Sequence, residues 1–181
     1  MLRGERVVLR AVERADVPLL HSWSQEYDEW PLVNEAAYVP VALTDAFKDY
    51  DEGRAWRADD RAVPFAVEAG GALVGSVSLW GIDLHNRKGH LGISLGPPAR
   101  GRGYGSDACR VLLRYAFHDR GLRRVQLEVL ADNEPALRAY RAAGFVEDGR
   151  LRDDAWVAGR WVDQLVMSAL APELPPGPPP G

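Results

Sequence analysis

The segment from His90 to Leu130 constrains the fold more than any other. His90-Leu-Gly-Ile-Ser-Leu95 alternates as a strand does, with Leu91, Ile93 and Leu95 on one face and His90, Gly92 and Ser94 on the other. Gly96-Pro97-Pro98 ends it. The turn Arg100-Gly-Arg-Gly-Tyr-Gly105 then opens a helix predicted to reach about Arg120, and Arg124–Leu130 reads as a second strand. A strand, a helix and a returning strand imply a parallel pair with a right-handed crossover. Asp107, Arg110, Arg114 and His118 are expected to form the helix's polar stripe, and Ala108, Leu112, Tyr115 and Ala116 its apolar one.

The flanking chain fits the same class. Arg6–Arg10 reads as a first strand. Asp16 is placed to cap a helix through Leu19, Leu20 and Trp23, and Thr44 to cap another toward Gly53. Residues 24 to 41 are expected to be irregular, because Trp30-Pro31 and Val39-Pro40 interrupt any helix. Val63–Ala69 and Ala72–Asp83 read as a hairpin about Gly70-Gly71, with another turn over Asn86–Gly89. A helix is predicted over Glu134–Ala143, and Phe145–Trp156 with Arg160–Ala169 as a closing hairpin around Ala158-Gly159. The expectation is an α/β domain over residues 1–170, its mixed sheet flanked by helices, followed by a tail over 171–181. Six of the ten residues from Pro172 to Gly181 are proline, a composition with little to bury.

Composition excludes several classes of function. The 22 basic and 26 acidic residues leave a net charge of −4, no footprint for nucleic acid in the chain as a whole. One cysteine rules out an internal disulfide, and the four histidines show no metal-ligand spacing. No run approaches the ~20 apolar residues of a membrane span, and Met1 to Arg10 has no signal-peptide core. A cytoplasmic protein that uses no metal and inserts in no membrane is expected.

The glycine-rich turn carries chemistry. Glycine lets backbone amides converge and lets a ligand approach the main chain. The helix N-terminus adds unpaired N–H groups and the positive end of its dipole, and Arg100 and Arg102 add full charge. Together these suit a pyrophosphate cradle; a flexible glycine turn is the other reading. It is not a P-loop, since no Gly-Lys-Ser/Thr follows, and Ser106 stands where a dinucleotide fingerprint needs its third glycine. Gly92-Ile-Ser94-Leu-Gly96 spells the hydrolase pattern Gly-x-Ser-x-Gly, but Pro97-Pro98 follows where the elbow requires a helix. Cys109 and His118, nine residues apart on one helix, fall on opposite sides, so Cys109 reads as a buried core thiol.

Arg100-x-x-Gly103-x-Gly105 resembles the acyl-CoA signature of the GNAT superfamily of N-acetyltransferases. Asn133-Glu-Pro-Ala-Leu-Arg-Ala-Tyr140-Arg-Ala-Ala-Gly144-Phe145 resembles that family's second landmark. Leu2–Arg10 with Asp16, and Glu147-Asp-Gly-Arg-Leu-Arg152 with Gly159-Arg160 and Asp163, are similar to the ribosomal-protein N-terminal and spermidine acetyltransferase branches. The resemblance implies a mostly antiparallel sheet with a splayed parallel pair, His90–Leu95 and Arg124–Leu130, that admits acetyl-CoA. It places the pyrophosphate on the amides of Gly101, Arg102, Gly103, Tyr104, Gly105 and Ser106. Main-chain groups of Ile93, Ser94 and Leu95 would hold the pantetheine arm and polarise the thioester carbonyl. Asn133 would bond the same arm, although a helix N-cap explains it equally.

Tyr140 is the expected general acid for the departing thiolate; a core tyrosine packed on Leu137 is the other reading. His90 is the candidate base, an imidazole where many relatives carry glutamate; a surface residue at a strand's start explains it equally. Glu26, Asp28 and Glu29 read as a solvated acidic loop, and Trp23, Tyr27, Trp30 and Trp56 as candidate walls of an acceptor pocket. The expected reaction is direct acetyl transfer to a primary amine, either a protein N-terminus or a small amine such as a polyamine. An acyl-CoA sensor with a degenerate acceptor site is the alternative. The closing hairpin offers an edge for a homodimer.

Overall fold

A computed structural model describes residues 1–26 and 37–171. Eight strands form one sheet: β1 (Leu2–Arg3), β2 (Val8–Arg10), β3 (Val63–Ala69), β4 (Ala72–Asp83), β5 (Lys88–Leu95), β6 (Arg124–Leu130), β7 (Val146–Val157) and β8 (Arg160–Leu170). Their spatial order is β1-β2-β3-β4-β5-β6-β8-β7. Every neighbouring pair is antiparallel except β5 and β6, which are parallel as the crossover argument requires. The helices are α1 (Val17–Ser24), α2 (Leu43–Asp51), α3 (Tyr104–Arg114) and α4 (Glu134–Ala143).

The parallel pair forks. β5 stays in register with β4 as far as Leu95, which faces Gly75. With β6 it pairs only at Lys88, Gly89 and His90, opposite Arg124, Val125 and Gln126. Beyond His90 the β6-facing edge of β5 pairs with no strand among the described residues, which leaves main-chain groups before Leu95 open to another partner.

The two faces of the sheet are covered differently. α3 and α4 lie on the main core, where Leu79, Leu91, Leu112, Leu127, Leu137 and Met167 are almost completely buried. On the other face a smaller cluster of Val12, Leu20 and Ala66 is packed by Trp23, Tyr50 and Trp56. Burial of the large aliphatic side chains is the main stabilising term, at ~25 cal/mol per Å² of apolar surface removed from water.

Local departures from the sequence reading have physical causes. The short β1 pairs back on β2, and β5 begins two residues before His90. α2 starts at Leu43, with Ala42 rather than Thr44 as its N-cap. Asp16 occupies the N-cap position of α1 but makes no capping bond to the helix. Its carboxylate instead accepts from both terminal nitrogens of Arg10 and from the Glu13 N–H. The third helix leaves α geometry at Arg114 and continues as a π turn over Tyr115–Asp119. Asp107, expected on the polar stripe, is 2% exposed. Its carboxylate accepts from the Arg6 and Val7 N–H groups at 2.7 and 3.1 Å, tying the β1–β2 connection to the first turn of α3. β8 ends at Leu170, and the proline-rich residues 172–181 lie outside the described residues.

Candidate active site

A cavity of about 520 Å³ opens where β5 and β6 part, a size typical of a small-molecule site. Three elements build it. β5 contributes Ile93, Ser94 and Leu95; the glycine turn and start of α3 contribute Arg100, Gly101, Gly103, Tyr104, Gly105 and Ser106; α4 and its cap contribute Asn133 and Tyr140.

The turn takes its shape from glycine. Gly101 and Gly103 have φ of 71° and 79°, and Gly103 is the N-cap of α3, so the turn relies on left-handed backbone that other residues adopt only with strain. A Cβ on Gly101 would meet nothing within 4 Å, which leaves the main chain open from that side. The first amides of α3 have no intrahelical acceptor. Ser106 Oγ donates to the Gly103 carbonyl at 3.1 Å and tightens the turn. Arg100 Nε donates to the Leu95 carbonyl at 3.1 Å, so that acceptor is already engaged. Arg102 is not a lining residue; its carbonyl accepts from Arg6 Nη1 at 3.1 Å.

α4 is fixed at both ends. Asn133 Oδ1 accepts from the Ala136 N–H at 3.3 Å, so the cap reading holds while the residue also lines the cavity. Gly144, with φ of 102°, closes the helix, and the Gly144 and Phe145 N–H groups both bond the Tyr140 carbonyl. The Tyr140 ring meets Phe145 edge-on at 5.8 Å. Its hydroxyl makes no hydrogen bond to any described residue, and its ring borders the cavity. Burial among apolar groups, reinforced by the neighbouring Cys109, holds its pKa above the ordinary phenol value. The phenol therefore stays protonated near neutral pH. Cys109 also borders the cavity, and burial pushes its thiol up to about 12.

His90 is not in the cavity. Its neighbours Gly89 and Leu91 are buried, Leu91 in the main core, so His90 points to the opposite face of the sheet. Glu26 is exposed. Trp23 lies against Gly96 at the end of β5, where a Cβ would sit 2.4 Å from the indole. Trp56 is partly buried and packs on the smaller cluster. Tyr27, Asp28, Glu29 and Trp30 lie outside the described residues.

The sequence reading missed a run of lining residues on α4, Pro135, Ala136, Arg138, Ala139 and Ala142. Ala136, Ala139 and Ala142 recur every third position, the mark of one helix face kept small. Among the described residues no cluster of His, Cys, Asp and Glu is placed to hold a metal, and no helix is long and apolar enough to cross a membrane.

The Acetyltransferase (GNAT) domain family matches residues 6–146. A putative ribosomal N-acetyltransferase of Bacillus subtilis, YdaF, is 35% identical over 111 residues, 59% of this chain and 61% of that protein. The spermidine N(1)-acetyltransferase of Vibrio cholerae is 28% identical over 169 residues, 92% of this chain and 94% of that one. A crystal structure of the Vibrio cholerae spermidine N-acetyltransferase in complex with CoA and spermine superimposes with a TM-score of 0.83 at 26% identity, covering 94% of this chain and 98% of that chain.

Proposed function

The chain belongs to the GNAT acetyltransferase family, and from that premise we propose that it transfers acetyl from acetyl-CoA directly to a primary amine, a small aliphatic amine or a protein N-terminus, in a ternary complex in the cytoplasm. The observation that carries the reading is the fork: a glycine cradle, a strand edge with no partner strand and a tyrosine hydroxyl with no hydrogen bond among the described residues meet in one cavity. The crystal structure of a relative with CoA and spermine supports both halves of the substrate pair.

The residues present suit acetyl-CoA. The amides of residues 101–106 and the α3 dipole bind the pyrophosphate, with the Arg100 guanidinium beside them. The β6-facing edge of β5 near Ile93 and Ser94 bonds the amide-rich pantetheine arm, and a backbone N–H there polarises the thioester carbonyl. Asn133 contributes its amide nitrogen, since its oxygen is taken by the helix. When bound, acetyl-CoA supplies an activated acyl group on a thiol that can leave.

Tyr140 donates its proton to the departing sulfur. An ordinary phenol near 10 giving a proton to a thiolate whose acid titrates near 8.5 runs uphill by roughly 2 kcal/mol. The donation works because the cavity raises the cost of a bare thiolate as well. The hydroxyl therefore acts as charge develops on sulfur, and solvent reprotonates it afterwards. With Cys109 held as a thiol, no activated nucleophile lines the cavity among the described residues, which favours direct transfer over a covalent acyl-enzyme.

The test is free-thiol release from acetyl-CoA across a panel of aliphatic amines and peptides with free N-termini. Amine-dependent release above hydrolysis is expected for at least one class. Tight acetyl-CoA binding with no release on any amine would favour the acyl-CoA sensor.

A further inference from the structure

The glycine turn is held from behind by residues 3–7, the connection between β1 and β2. Asp107, 2% exposed in the first turn of α3, accepts from the Arg6 and Val7 N–H groups through Oδ2 and from Arg110 Nη2 through Oδ1 at 3.3 Å. A carboxylate buried this deeply is stable only when it is bonded on several sides, so the Arg6 backbone starts from a fixed point. Gly4 permits the approach: a Cβ there would sit 2.4 Å from Asp107 Oδ2 and 2.8 Å from Val111 Cγ2. The Gly4 N–H closes the connection on the Val7 carbonyl at 2.8 Å, and Arg114 Nη2 donates to the Arg3 carbonyl at 2.6 Å.

From that anchor the Arg6 side chain reaches the turn. Its Nη1 donates to the Arg102 carbonyl at 3.1 Å. A Cβ on Gly103 would meet Arg6 Nη1, Cζ and Cδ at 3.6, 3.7 and 3.8 Å, so the side chain flanks Gly103 as well. Gly103 lines the cavity, whereas Arg6 and Arg102 do not. The Arg102 C=O and the Gly103 N–H belong to one planar peptide, and in a trans peptide they point opposite ways. Holding the carbonyl on the Arg6 side therefore aims the N–H away from Arg6, toward the side of the cavity. That N–H bonds no described residue.

The restraint matters because this peptide is easily turned over. Gly101 and Gly103 flank Arg102, both at positive φ, and glycine moves between backbone regions with little steric resistance. A turned peptide would offer the pyrophosphate a carbonyl oxygen, an acceptor that an anion cannot bond.

We propose that Arg6 is a positioning residue for acetyl-CoA: it holds the peptide between Arg102 and Gly103 so that the Gly103 N–H faces the pyrophosphate, and Asp107 anchors Arg6 for that task. The proposal rests on the acetyl-CoA placement in the reading above. Arg6 touches no reacting atom. It sets the fraction of molecules whose turn is competent to bind, and apparent Kd rises as that fraction falls. One hydrogen bond of ordinary net strength shifts such a fraction by about fivefold.

The experiment pairs calorimetric binding of acetyl-CoA with thiol release from two donors, acetyl-CoA and S-acetylpantetheine, which carries the thioester and the arm but no pyrophosphate. The acceptor is an amine that the wild-type protein acetylates. Arg6→Ala is expected to raise Kd and KM for acetyl-CoA about fivefold. Its kcat, its kcat/KM with S-acetylpantetheine and its melting temperature should be nearly unchanged, since Arg6 is exposed. Arg6→Lys, which can still donate to the carbonyl, should recover part of the affinity. The ratio of wild-type to Arg6→Ala affinity should hold between ~0.1 and ~1 M salt, across which the Debye length falls from about 10 Å to about 3 Å. A ratio that collapses with salt would make Arg6 a charge acting on the phosphates and overturn the positioning role. Unchanged acetyl-CoA affinity in Arg6→Ala, or an equal loss with both donors, would overturn it too. Asp107→Ala should reproduce the same split, and Arg6→Ala added to it should cost nothing more. Additive losses would remove Asp107 as the anchor, and if Asp107→Ala does not fold the Arg6 variants decide alone. Wild-type protein that binds acetyl-CoA but releases no thiol with any amine removes the transfer reading, and the calorimetric comparison then decides the role of Arg6. Wild-type protein that binds no acetyl-CoA overturns both.

Discussion

Tyr140 and Cys109 lie side by side at the cavity wall, and burial raises the pKa of both hydroxyl and thiol. The consequences differ. For Tyr140 the shift keeps a proton in place until sulfur demands it. Tyr140→Phe keeps the ring and its contact with Phe145 and removes only the hydroxyl, which has no partner among the described residues to lose. Turnover should fall by ~10²-fold or more with acetyl-CoA affinity little changed and melting temperature nearly constant. A variant at wild-type turnover would retire Tyr140 as donor. For Cys109 the shift to about 12 leaves essentially no thiolate at neutral pH. The native protein should resist an aromatic disulfide reagent for hours at pH 8 and react within minutes in denaturant. Rapid labelling of the folded form would contradict the burial.

At the scale of elements, the sequence exposed what local chemistry decides. The glycine turn, the strands on either side of α3, the two-glycine hairpin and the Asn133-to-Gly144 frame of α4 were all legible, because each depends on residues next to one another. What was not legible depends on contacts distant in sequence. Asp107 reads as one acid in a polar stripe until the β1–β2 connection, about a hundred residues away, supplies two N–H donors that bury it. His90 reads as a candidate base from its own strand, but that Trp80 stacks on it and Glu128 lies 3.8 Å from its Nδ1 depends on the register with the two neighbouring strands. The glycine turn offers the sharpest test at this scale. Gly103→Val places a β-branched residue at φ near 79°, where its backbone is strained by about 1–2 kcal/mol. We expect a folded protein whose acetyl-CoA affinity falls by more than tenfold. Unchanged affinity by calorimetry would move the pyrophosphate elsewhere.

For the whole molecule, the question is what keeps the two covered faces locked on one sheet. At the C-terminal end, the Ala171 N–H bonds the Arg123 carbonyl at 3.0 Å. Truncation after Ala171 preserves that bond, so melting temperature and turnover should barely move; a loss of several degrees would give the tail a docking role. Near the N-terminus, Arg10 on β2 holds Asp16 at the start of α1 and Glu68 on β3 at once, at 2.7 and 2.9 Å. This clamp seats α1, and with it Trp23, against the sheet. The side chains of Arg10 and Asp16 are only 18% and 9% exposed. The bond from Arg10, then that from the Glu13 N–H, holds the Asp16 carboxyl below its ordinary range despite the opposing cost of burial. Because the folded value is depressed, the carboxylate's stabilisation is complete above the unfolded value near 3.9 and is lost as pH falls through the lower folded one. The same clamp raises Arg10, but that guanidinium stays charged at every working pH and adds no slope. Asp16→Asn should therefore cost roughly 2 kcal/mol at pH 7, measured by urea unfolding. Its deficit against the wild type should narrow below about pH 4, as the native carboxylate is itself neutralised. Other carboxylates, such as the exposed Asp51 and the half-buried Asp163, contribute to the acid limb of both proteins alike, so the difference isolates Asp16. A deficit that stays constant from pH 7 to pH 2 would mean that shape rather than charge holds α1 on the sheet.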